Sequence, residues 1–310
     1  MQETLLSFGL IILAGVAFKA LKPGGLDADT LRNAINGAVL NLFLPALCIS
    51  GISLAEIHRE TFLIPATAWI TTLLALAVSA GVYALASKAL RIGSAEQGVL
   101  VIAAAFGNVT YLGLPVLSAL FGRAGVKYVL FFDLLATTPV LWLVGAPLAA
   151  RYGSGGKFGP TASLKTILSL PPIWGIAAGL ALNASGVILP AFIQKALEML
   201  GGLVAPLMVF SIGLALTIPP VRHSCAVVPA LVMKLAMVPF IAFTSAHLLG
   251  LRGEPLAACV LEGAMPTMVL SLLIAARFRL DVSLAAFIVV VSTALAFFTL
   301  PLAAAVAGSP

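Results

Sequence analysis

Between Gln97 and Phe121 the chain is long and apolar enough to cross a bilayer, yet Asn108-Val-Thr-Tyr-Leu-Gly-Leu-Pro115 sits in the middle of it. A spanning helix must satisfy every backbone N–H and C=O internally, because lipid offers no replacement partner. Gly107, Gly113 and Pro115 interrupt that ladder, and Asn108 and Thr110 place polar side chains at the interruption. A second break, Glu262-Gly-Ala-Met-Pro266-Thr267, lies inside the apolar stretch 256–276. Two broken helices in corresponding places of two halves point to the binding site of a secondary transporter.

The rest of the chain fits that setting. Hydrophobic residues make up 61% and charged residues only 9%, where a soluble domain carries roughly 25% charged residues. Ten apolar segments follow one another, at about 5–21, 34–54, 62–86, 97–121, 126–150, 164–182, 196–218, 226–249, 256–276 and 282–306. Most approach the roughly 20 residues that cross a hydrocarbon core. The expected fold is an all-α polytopic membrane protein. Glu3 and the absence of a basic residue before the first apolar run mark residues 5–21 as a spanning helix rather than a cleaved signal.

Cys48, Cys225 and Cys259 are isolated in apolar surroundings, which argues against a metal site or a disulfide framework. The net charge of +6 belongs to segment ends rather than to a nucleic-acid surface. With the N-terminus outside, inward loops hold eleven of the seventeen Lys and Arg residues, Lys157 and Arg222 among them. Outward loops hold five, and Lys234 lies within a segment. This bias places both termini outside the cytoplasm of a multi-pass protein in the cytoplasmic (inner) membrane.

Arg151-Tyr-Gly-Ser-Gly-Gly-Lys-Phe-Gly-Pro160 is a flexible linker by composition. Five segments precede it and five follow, so two homologous halves would be inverted relative to each other. The expected organisation is a first five-helix repeat over 1–150, a flexible loop over 151–163, and a second, inverted repeat over 164–310. Leu44-Pro45-Ala-Leu faces Ala205-Pro206-Leu-Met, and Ser50 and Ser211 each follow the proline by five residues. Aligning Glu96 with Glu254, which open segments four and nine, sets Asn108 opposite Pro266.

Four stretches together resemble the auxin efflux carrier family, in its bacterial-type permease form. They are 9–47, Gly107-Asn-Val-Thr-Tyr-Leu-Gly113-Leu-Pro115-Val, Leu203-Val-Ala-Pro206-Leu-Met-Val-Phe-Ser-Ile-Gly213, and Glu262-Gly-Ala-Met-Pro266-Thr. The resemblance covers nearly the whole chain in order. It implies ten helices in an inverted five-plus-five repeat, with helices four and nine broken and crossing beside the substrate. It also implies transport of organic anions, usually carboxylates. Many members carry an asparagine shortly after the ninth-helix proline; here Met268-Val269-Leu270-Ser271 offers only serine. The long cytoplasmic loop of the large plant carriers is absent.

The expected substrate site comprises Asn108, Thr110, Gly113 and Pro115 at the first break, Pro266 and Thr267 at the second, and Asn41 from segment two. The glycines and prolines shape the breaks. Asn108 offers both donor and acceptor. Exposed N–H groups and a positive helix end favour an anion, whereas freed carbonyls favour a cation. Glu262, Lys234 and Asp133 lie deepest among the ionisable residues, where a charge costs at least about 2.5–3.5 kcal/mol. They are the ion-coupling candidates. Glu262 titrates a proton, or forms a static ion pair with Lys234; Lys234 alternatively balances a carboxylate substrate. A proton is preferred to sodium as the coupling ion, and no cofactor is implied.

Expected partners are a small organic anion and the lipid bilayer, with no nucleic acid. Gly175 and Gly179 form a small-xxx-small pair that suits a neighbouring helix or the partner of a homodimer. Two further transport readings stand beside the carrier: an anion channel, although no charge ring or filter motif is visible, and a sodium-coupled symporter of the bile-acid type. An intramembrane enzyme would need a nucleophile–base or metal constellation, and no H-E-x-x-H or Cys–His grouping is present.

Overall fold

A computed structural model describes residues 2–153, 158–216 and 224–308. Residues 154–157 of the expected linker, Lys157 with them, and Arg222 lie outside the described residues. Among the described residues all regular structure is helical, apart from one isolated antiparallel bridge.

In chain order the helices are α1 (Gln2–Leu21), α2 (Ala28–Ser53), α3 (Arg59–Leu90), α4 (Ser94–Ala105) and α5 (Val109–Tyr152). Then come α6 (Pro160–Leu168), α7 (Pro171–Ser185), α8 (Ala191–Ala215) and α9 (Cys225–Leu248). The last three are α10 (Gly253–Ala264), α11 (Leu270–Arg277) and α12 (Val282–Ala307). Among the described residues six helices are long and apolar enough to cross a membrane, or seven if α6 and α7, bent by 62°, count as one span. Every apolar segment falls mainly on helix where it is described, but segments four, six and nine each divide into two. At 1.5 Å per residue, the twelve residues of α4 or of α10 reach only about 18 Å, so neither crosses about 30 Å of hydrocarbon alone. The expected loop over 151–163 is shorter at both ends, since α5 runs to Tyr152 and α6 starts at Pro160.

Five stretches inside the long helices are wound as π-helix: Val39–Phe43, Val109–Gly113, Asp133–Thr137, Leu141–Gly145 and Met233–Met237. Each begins six residues before a proline, namely Pro45, Pro115, Pro139, Pro147 and Pro239. Proline has no N–H to donate, and its ring collides with the carbonyl four residues back. One extra residue in the preceding turn relieves that collision, at the cost of widening the helix. Proline alone does not suffice, because Pro65 and Pro301 lie in regular α-helix. At Gly122 (φ 58°) α5 breaks sharply, where the sequence separates segments four and five.

The chain divides into two compact units, each drawing on both halves of the sequence. Unit 1 comprises Met1–His58, Thr110–Leu130 and Ile167–Leu216. Within it α1 crosses α8 where Gly15 meets the Phe210 carbonyl, and Gly213 meets that of Ile12, closer than any Cβ would permit. Gly175 and Gly179 of α7 seat α2, with Pro45 and Cys48 2.9 Å from where their Cβ atoms would lie. The small-residue pair thus serves an internal contact. Asn183 donates to the carbonyls of Ile52, Ser53 and Ala55 at 3.0, 3.1 and 2.8 Å, closing the end of α2.

Unit 2 comprises Arg59–Val109, Phe131–Thr166 and Thr217–Pro310. Its centre is α10, packed against α9, α12 and α3. Gly263 of α10 lies against Pro239 and Ala242 of α9. Tyr83 of α3 donates its hydroxyl to the Ala226 carbonyl of α9 at 2.7 Å. Glu96 and Glu254 occupy the first turns of α4 and α10, where a negative charge favours the positive helix end. Glu96 also accepts the Gly93 N–H at 2.7 Å.

Candidate functional site

Both breaks of unit 2 are extended segments, for reasons visible in the residues. Pro266 disfavours helical angles at the residue before it, and Met265 is extended (φ −57°, ψ 142°). Phe106, which ends α4, is extended as well (φ −96°, ψ 121°). The two segments cross antiparallel, with Gly107 opposite Thr267. Asn108 N–H donates to the Pro266 carbonyl at 2.7 Å, and Met268 N–H to the Phe106 carbonyl at 3.1 Å. Pro266 has no N–H to return, so the bond to Asn108 runs one way. Thus the pair of residues aligned from the sequence, Asn108 and Pro266, is also hydrogen-bonded.

Thr267 is wholly buried and fully engaged. Its hydroxyl donates to the Ala103 carbonyl in the last turn of α4 at 2.9 Å, and its N–H donates to Ser292 Oγ of α12 at 3.1 Å. The last carbonyls of a helix have no helical donor, and here a side chain from the other break supplies one. Ser271 donates to the Met268 carbonyl at 2.6 Å.

Lys234 is 1% exposed, on the π-helical stretch of α9. Its Nζ donates to the Gly263 carbonyl in the last turn of α10 at 2.7 Å. A Cβ on Gly107 would lie 3.1 Å from Nζ and 3.3 Å from the Met265 carbonyl oxygen, so glycine leaves room for both. Glu262, also 1% exposed, makes no ion pair with Lys234 within 4 Å, and neither carboxyl oxygen has a hydrogen-bond partner. Lys234 and Asp133 are nonetheless within electrostatic range of Glu262. Asp133 opens a π-helical stretch and accepts from Thr138 Oγ1 at 2.9 Å. Buried Asn108 Nδ2 and Thr71 Oγ1 also lack partners.

Lys234, Glu262, Gly107, Thr71 and Thr137 border one small cavity of about 10 Å³, close to the volume that admits one water. Sequence reasoning passed over Thr71 and Thr137. Their signal was there in Thr71-Thr72 and Thr137-Thr138, two adjacent threonine pairs in apolar runs. A larger cleft of about 230 Å³ lies in unit 1, bordered by Ser50, Glu56, Arg123 and Lys127 among others. Its cations are already engaged: Arg123 pairs with Glu198 at 2.9 Å, and Lys127 donates to the Glu56 carbonyl at 2.7 Å.

The other expected site residues lie in unit 1. Thr110 and Gly113 belong to the π-helical start of α5, and Pro115 follows directly. Asn41 is exposed on the π-helical stretch of α2, and its amide donates to Gly37 of its own helix at 2.7 Å. The structure thus gathers Asn108, Pro266, Thr267, Lys234 and Glu262 in unit 2, with Asp133 near Glu262, and Asn41 does not border the small cavity.

The family model described as "Membrane transport protein" matches residues 4–156 and 157–304. An uncharacterized transporter of Methanothermobacter thermautotrophicus is 31% identical over 305 residues, covering 97% of this chain and 96% of that protein. An uncharacterized transporter of Methanocaldococcus jannaschii is 24% identical over 301 residues, covering 94% of each.

Proposed function

The chain belongs to this membrane transport protein family, of the auxin efflux carrier type, and on that premise we propose that it is a secondary active transporter of a small organic anion. The substrate is a carboxylate, carried across the cytoplasmic membrane by alternating access and coupled to protons. The observation that carries this reading is the antiparallel crossing of the two breaks, with Asn108 N–H bonded to the Pro266 carbonyl. Irregular backbone at membrane depth is tolerated where it is enclosed by protein or lines a cavity. A buried break that served packing alone would have no reason to hold an unpartnered amide and an unpartnered carboxyl beside it.

In this reading the chain forms ten spans in an inverted five-plus-five repeat, with α4 and the start of α5 as one broken span and α10 and α11 as the other. Both termini face away from the cytoplasm. Asn108 Nδ2 donates to the substrate carboxylate. Pro266 shapes its surroundings. Glu262 exchanges the coupling proton, because a buried carboxyl with no donor on either oxygen is free to do so. Asp133 tunes that exchange from electrostatic range.

The test is uptake of labelled mono- and dicarboxylates into proteoliposomes under an imposed pH gradient. Accumulation above equilibrium, abolished by a protonophore, is expected. Flux that never saturates and shows no counterflow would replace the carrier with a channel.

A further inference from the structure

Lys234 is held in a way that proton-coupled transport does not require. Two half-helices end at the crossing, α4 at Ala105 and α10 at Ala264. Each end carries the negative pole of its helix, roughly half an elementary charge, and carbonyls that no helical N–H serves. The Lys234 ammonium donates to the Gly263 carbonyl of α10 at 2.7 Å. It also approaches Gly107, two residues beyond α4, within 3.1 Å of where a Cβ would stand. The unpartnered Glu262 carboxyl and the Thr71 and Thr137 side chains border the same cavity.

Carbonyl, carboxyl and hydroxyl oxygens at two negative helix ends are the donor set of a small, hard, dehydrated monovalent cation. We propose that Lys234 is a tethered cation occupying such an alkali-ion site. Its tethered ammonium does what a diffusible Na⁺ would do only when bound, so the protein works without sodium. Removing the ammonium while keeping Glu262 leaves an oxygen-lined site at two negative helix ends, which then takes Na⁺ or Li⁺ as Glu262 gives up its proton. That the protein works without sodium rests on the transport reading; occupancy of the site by Lys234 does not.

The experiment uses the purified full chain in detergent. It measures ²²Na⁺ binding, and Tm in sodium, lithium or choline chloride at equal ionic strength. Wild type should bind no ²²Na⁺ saturably and should have one Tm in all three salts. Lys234→Ala should gain saturable ²²Na⁺ binding and a Tm higher by a few degrees in sodium or lithium than in choline. Adding Glu262→Gln should abolish that gain. Saturable sodium binding by wild type would overturn the proposal, and so would a folded Lys234→Ala indifferent to the cation. Should Lys234→Ala fold in no salt, the wild-type arm decides alone. These readouts need no flux, so a failed carboxylate assay would leave them standing.

Discussion

Replacing Thr267 with valine separates a structural strap from a ligand contact. Valine keeps the branched shape and removes the hydroxyl that donates to the Ala103 carbonyl at 2.9 Å. Within α4 that carbonyl would be served by the N–H of Gly107, four residues on, but the chain leaves the helix after Ala105. Interhelical side-chain hydrogen bonds in membranes average only about 0.6 kcal/mol, because the unfolded reference finds other partners. Leaving a buried acceptor with no donor costs more, about 1–3 kcal/mol. Thr267 is wholly buried, so the second figure governs, and Thr267→Val should destabilise by about 1–2 kcal/mol. At roughly 2–4 °C per kcal/mol, Tm falls by several degrees. Thr267→Ser, which keeps the donor, should lose less. The assay is thermal unfolding of detergent-purified protein, followed by monodispersity on gel filtration, with substrate affinity measured alongside. A valine variant as stable as wild type but with weakened affinity would refute this and return the hydroxyl to the substrate.

Other residues carry separable expectations. Glu262→Gln removes a carboxyl with no hydrogen bond to lose, so Tm should hold or rise, while pH-driven accumulation disappears and counterflow persists; a wild-type response to the pH gradient would exclude Glu262 as the proton carrier. Gly107→Ala places a Cβ 3.1 Å from Lys234 Nζ, so the neighbours must yield by a few tenths of an ångström and stability should drop by about 1 kcal/mol, checked by Tm. Pro239→Ala removes the cause of the π-helical turn before it. Rewinding that turn as α-helix would rotate Lys234 by about 100° relative to the residues that follow it, so flux should collapse with helix content by circular dichroism unchanged. Wild-type flux in that variant would show that the proline does not set the register of Lys234.

The breaks were legible because glycine and proline inside an apolar run contradict what lipid demands of a helix. Matching Glu96 to Glu254 sets Asn108 at the position of Pro266 in sequence; that a 2.7 Å hydrogen bond joins the two is what the structure adds. The fate of individual side chains was not. Opposite charge in the sequence invited an ion pair between Lys234 and Glu262, but the ammonium goes to the Gly263 carbonyl. A helix end is itself a negative partner, and where it ends up depends on tertiary placement. Thr267 reads as a ligand group for the same reason, since nothing local announces the orphan carbonyl of Ala103. The π-helical stretches had a readable cue in the proline six residues on, yet Pro65 and Pro301 share the residue without the distortion. Which helices form each unit depends on contacts far apart in sequence, such as Tyr83 with Ala226.

Counterflow of labelled carboxylates in proteoliposomes, wild type against Asn108→Ala, tests the central claim most directly. Saturable counterflow in wild type is expected, with its loss in a variant that remains folded, since only the side-chain amide is removed and the Asn108 N–H bond to Pro266 stays. Wild-type counterflow in Asn108→Ala would take the substrate away from the crossing.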